Sequence, residues 1–163
     1  MKYMENQKVL CQEWSRGWSA FRRKGRGYMS KYLEYAHVLR ADTDRHYNCA
    51  QAVLLPFARE AGLDEETAYR LAVNFGGGMK VGSVCGAVTG ALMALGLMGA
   101  DDPSVPAKVF RTIKERHGGA IECRDLLRIN KEQGGEKKPH CDAMVYECVT
   151  LVEDILKERN LGV

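Results

Sequence analysis

The sequence contains no two cysteines separated by two residues, and hence no C-x-x-C-H. The first absence removes the close ligand pairs of zinc fingers and ferredoxins, and also the dithiol motif of thioredoxin-like enzymes. The second removes covalently attached haem. Alternating strand patterns are missing too, and only four prolines punctuate the 163 residues. The glycine-rich stretch 77–83 lacks the lysine of a phosphate loop, and no strand precedes it as a dinucleotide fingerprint requires. No Ser/His/Asp arrangement suggests a nucleophile. Length predicts one domain, large enough to bury a core without disulfides, and 45% hydrophobic with 28% charged residues is an ordinary globular composition.

The net charge of +3 is unevenly spread. Residues 1–28 hold seven Lys or Arg against two Glu, whereas the remainder carries seventeen basic and nineteen acidic groups. The first 28 residues also contain Trp14, Trp18 and the run Arg22-Arg23-Lys24-Gly25-Arg26. A basic, aromatic segment can bind RNA or anionic lipid. Residues 1–28 read instead as a basic leader, a disordered or non-native extension. Lys24-Gly25-Arg26-Gly27 can be encoded by purine-rich codons resembling a ribosome-binding site, so translation is expected to start at Met29. The leader lacks the apolar run of a secretory signal, which predicts a cytoplasmic protein with reduced thiols. Lys137-Lys138 reads as part of a solvated loop, and no nucleic-acid partner is expected.

Residues 29–163 read as helical throughout. Ser30 caps a helix to about residue 39, and Asn48 caps one from residue 49 to about 61, in which Pro56 predicts a kink or a split. Asp64 caps a third helix, expected to reach about residue 75 and stop at Gly76, Gly77 and Gly78. A fourth is expected from about residue 83 to 98. It lies within residues 81–100, which carry no charge and five glycines. Length alone permits a membrane span there, but a central helix buried on all sides is the expectation. Gly82, Gly86 and Gly90, four residues apart, predict one glycine face for close backbone approach. A fifth helix opens at Pro103 and Pro106, and a short sixth begins near Cys123. A solvated loop covers 130–138, and a last helix runs from about 140 to 159. The expected fold is all-α, a bundle of about six or seven helices around a buried, glycine-rich central helix.

Six cysteines stand out against these absences. Cys49, Cys85, Cys123 and Cys141 each fall near a predicted helix start, where unpaired N–H groups and the helix dipole stabilise a thiolate. Cys148 lies on the apolar stripe of the last helix and reads as core, and Cys11 lies in the leader. His46 lies three residues before Cys49 and His140 adjoins Cys141, so either can replace or tune a thiolate. Any site must be assembled from distant segments.

The order Asn48-Cys49-Ala50-Gln51-Ala52-Val53, Phe75-Gly76-Gly77-Gly78-Met79, Cys85-Gly86-Ala87-Val88-Thr89-Gly90-Ala91, Cys123-Arg124-Asp125-Leu126 and Cys141 resembles the redox-active family named for its C_GCAxxG_C_C pattern. That resemblance implies a small cytoplasmic protein working beside a redox partner, an oxidoreductase or a transporter subunit. A similar domain occurs in split-Soret cytochromes, which carry haem and a two-iron iron–sulfur centre. By this comparison Cys49, Cys85, Cys123 and Cys141 would bind an iron–sulfur cluster, of the two-iron type, for electron transfer or redox sensing. Two alternatives stay open. One is thiol–disulfide oxidoreductase chemistry without metal, with Cys85 as the accessible, reactive sulfur. The other is structural zinc or a helical adaptor role. The glycine face and Met79, Met93 and Met98 also suit packing between two copies in a homodimer.

Overall fold

The computed structural model describes residues 29–162. The basic leader, both tryptophans and Cys11 lie outside the described residues. Seven α-helices account for most of the described chain: α1 (Lys31–Ala41), α2 (Cys49–Glu60), α3 (Glu65–Ala72), α4 (Gly86–Leu97), α5 (Ser104–Arg116), α6 (Cys123–Glu132) and α7 (Lys137–Glu158). Among the described residues the only extended pairing is a single antiparallel bridge between Val84 and Glu122. The fold is all-α, as expected.

The caps follow their side chains. The Ser30 hydroxyl accepts from the Leu33 amide and Asp64 accepts from Thr67. Asn48 accepts from the Gln51 amide while the Gln51 side chain accepts from the Asn48 amide, a reciprocal capping box. Pro56 neither splits nor ends α2, which runs unbroken through it. Its neighbours Leu55 and Phe57 are fully buried, and that burial outweighs the local cost of about 3 kcal/mol of a proline inside a helix.

Three other boundaries differ from expectation. Helix α3 ends at Ala72, before Phe75. Helix α4 starts at Gly86, because residues 83–85 are drawn out to bridge residues 121–123. The predicted loop 130–138 shrinks to residues 133–136. Helix α6 continues to Glu132, and Pro139 sits inside the first turn of α7, where its missing N–H is not needed.

Helices α2, α4 and α7 form the centre, with α1 laid across α2 and α7, α5 on α4 and α6 on α7. Helix α4 is largely buried. Its close contact with α2 depends on Gly90, where an added Cβ would lie 2.7 Å from the Ala50 carbonyl oxygen. Gly86 is equally confined, at 2.8 Å from the Phe75 carbonyl oxygen. Gly82 stands outside the helix, so the predicted three-glycine face reduces to Gly86 and Gly90. No helix among the described residues is long and apolar enough to cross a membrane.

Candidate functional site

Between α3 and α4 the chain makes a left-handed turn, with φ between 56° and 63° at Gly77, Gly78, Met79 and Lys80. Two glycines adopt this conformation freely, whereas Met79 and Lys80 each cost about 1–2 kcal/mol. The turn delivers residues 83–85 alongside residues 121–123. There the Cys85 amide donates to the Ile121 carbonyl at 2.9 Å, and the Cys123 amide donates to the Ser83 carbonyl at 2.7 Å. Cys85 and Cys123 therefore leave the same face of the short bridge, as residues flanking a bridged pair do.

Cys49 and Cys141 form the second pair. Cys49 is the first residue of α2, and Cys141 lies one turn inside α7, further from its helix start than expected. Their sulfurs share a hydrogen bond that lowers the Cys49 thiol to about 7, assisted by the Arg40 guanidinium against the opposing effects of burial and Asp142. Cys141 keeps its proton and donates it, so its own ionisation is pushed upward.

All four cysteines, with His140, Leu126 and Met144 among the other walls, line one cavity of about 10 Å³. That is about the room a single water needs. Cys85 forms its deep end at 6% exposed. Burial pushes its thiol up to about 12, and the nearby Ala87 and Val88 amides offset only part of that. The expected accessibility of Cys85 is not found: the residue is buried, and the space beside Gly86 is taken by the Phe75 carbonyl. Cys123 is half-buried, and its thiol is raised by burial and by the charge of Cys49, with Lys137 opposing.

Above the sulfurs a cleft of about 520 Å³ opens to solvent. It shares Cys49, Cys123 and Cys141 with the cavity beneath and is rimmed by Arg40, Arg124, Lys137 and Lys138. Asn48 ties this rim to α3 by donating from its side-chain amide to the Val73 carbonyl at 3.0 Å. Gly76 packs directly against the Asn48 side chain, while Gly77 and Gly82 line the cleft.

The pattern of a family described as Putative redox-active protein (C_GCAxxG_C_C) matches residues 47–155, a span that contains all four converging cysteines. The chain belongs to this family. No curated protein and no solved structure matches it. The C_GCAxxG_C_C pattern thus accounts for the sulfurs and the glycines that pack around them. It leaves the four cations of the rim without a role.

The remaining candidates separate clearly. His140 lines the cysteine cavity, and burial lowers its basicity. His46 is exposed and lines neither the cavity nor the cleft. Cys148 is fully buried on α7, as its place on the apolar stripe predicts. Sequence reasoning missed Arg40 and the cleft. Lys137 and Lys138 are legible in sequence as charges, but Pro139 suggests a later helix start and so a loop at their positions. The described residues contain no group of three or more His, Cys, Asp or Glu side chains arranged to hold a metal ion. Four thiols are the usual complement for a cluster, and all four line one cavity.

Proposed function

We propose that this protein is a redox protein whose Cys49, Cys85, Cys123 and Cys141 bind a two-iron iron–sulfur cluster. The observation that carries the reading is the gathering of four thiols, from segments 18 to 38 residues apart, around a single cavity. In a two-iron cluster each iron takes two thiolates, which suits the Cys49/Cys141 and Cys85/Cys123 pairs. A structural zinc ion would draw on the same four thiolates, each about 2.3 Å from it. When bound, the cluster supplies one-electron transfer, for electron delivery or redox sensing. The chain supplies the rest. The starts of α2, α4 and α6 present their positive ends to Cys49, Cys85 and Cys123, and Arg40 favours the Cys49 thiolate. Met144 and Leu126 keep the deep side dry.

A second reading is favoured by the shared hydrogen bond between Cys49 and Cys141. Without metal, these two thiols form a disulfide on losing two electrons and two protons to an oxidant. Anaerobic purification of the full chain, followed by iron, zinc and acid-labile sulfide analysis, separates the readings. The cluster reading predicts iron and sulfide in equal amounts, about two of each per chain. Zinc alone contradicts it. Metal-free protein that gains a Cys49–Cys141 disulfide on mild oxidation, mapped by peptide mass, replaces it with dithiol chemistry.

A further inference from the structure

The cleft above the cysteines offers far more room than the sulfurs use, about 520 Å³ against about 10 Å³ beneath. A volume of that order is typical of small-molecule sites. No acidic residue lines it, whereas four cations do. Their own partners offset only part of that charge. Arg40 and Lys138 share Asp142, at 2.6 and 2.8 Å, and Arg124 pairs with Glu122 at 2.6 Å. Lys137 makes no ion pair among the described residues, so four cations face two carboxylates. Arg124 and Lys138 are also well exposed, with 69% and 66% of their side chains open to solvent.

Backbone polarity has the same sign. Helices α2, α6 and α7 all begin at this cleft, through Cys49, Cys123 and Lys137. Three helix starts turn their positive dipole ends to one volume, an arrangement suited to anions, while the Cys123 and Gln51 amides are already bonded to Ser83 and Asn48. Stabilising thiolates does not account for the whole rim. Arg40 acts on Cys49 and Lys137 on Cys123, but Arg124 and Lys138 act on carboxylates rather than on any of the four thiols.

We propose that this basic cleft binds a small molecule bearing carboxylate or phosphate groups with at least two negative charges, held directly over the cysteine centre. The site goes beyond the redox reading and stands whatever the thiols hold. It assigns the family's four-cysteine centre a low-mass anionic ligand, with Arg124 and Lys137 as the residues that contact it.

Isothermal titration calorimetry on the full chain tests this, at constant ionic strength, with inorganic phosphate and succinate as separate probes. The expected result is saturable one-to-one binding of at least one probe. The double variant Arg124→Gln/Lys137→Gln should weaken it about tenfold or more, the loss expected from two charge-assisted hydrogen bonds. Lys114→Gln, an exposed change outside the cleft, should leave it unaltered. Binding of phosphate alone identifies a phosphate ligand, and binding of succinate alone a carboxylate. If neither probe saturates, or if the double variant with an unchanged circular dichroism spectrum binds as tightly as the parent, the site is overturned. Iron and sulfide measured on the same sample report separately on the cluster.

Discussion

At Cys49 several influences meet on one sulfur: the proton offered by Cys141, the Arg40 guanidinium, the nearby Asp142 carboxylate, and the opposing cost of burial. The first outweighs the last, so the thiolate forms near neutrality. Cys85, with burial as the dominant influence, stays a thiol far above that. In metal-free protein, alkylation of Cys49 by iodoacetamide should rise as pH increases through about 7 and level off above it. Peptide mass mapping across pH measures this, and a midpoint in the ordinary thiol range, near 9, would contradict it. Cys148, fully buried, should remain unmodified throughout. At this scale the sequence was informative about Cys49, whose place after an N-cap asparagine is a local signal. It misled about Cys85. The burial of that sulfur arises from segments distant in sequence, with the Cys85 amide tied to Ile121 and the Phe75 carbonyl packed against Gly86.

Helix starts and glycines carry the site at the next scale. The Asn48 side chain caps α2 and also binds the end of α3, so its loss unfastens both from the turn that follows. Asn48→Ala should cost about 1–2 kcal/mol in urea unfolding, the usual range for a lost cap. A change below about 0.5 kcal/mol would mean the box is not formed. Two glycines in α4 should respond in opposite directions. Gly90→Ala places a methyl 2.7 Å from the Ala50 carbonyl and should destabilise by about 1–3 kcal/mol. Gly96→Ala meets nothing within 4 Å and should stabilise by about 0.5–1 kcal/mol, as alanine does in an open helix position. Thermal unfolding of both variants checks the pair. The same contrast shows what was legible. Caps at Ser30, Asn48 and Asp64 could be read because their partners lie three residues away. The two prolines could not be placed so well. Pro56 is held helical by the core around Leu55 and Phe57, and Pro139 belongs to a first turn that begins two residues before it.

For the molecule as a whole, the fold brings together four segments that no local pattern connects. Helix α4 threads between α2 and α7, the left-handed turn sets Cys85 beside Cys123, and α7 closes Cys141 over Cys49. The all-α class was legible from the missing strand patterns, and the convergence was an expectation drawn from resemblance. The basic cleft was not visible beforehand, because Arg40, Arg124, Lys137 and Lys138 come from three helices and look like ordinary surface charges in sequence. The central claim is that the four sulfurs form one redox centre. Its most direct measurement is the iron and acid-labile sulfide content of anaerobically purified protein, alongside five single Cys→Ser variants. About two iron and two sulfide per chain are expected in the parent, with sharp losses at Cys49, Cys85, Cys123 and Cys141 and retention at Cys148→Ser. Iron that survives the first four substitutions, or none in the parent, would contradict it.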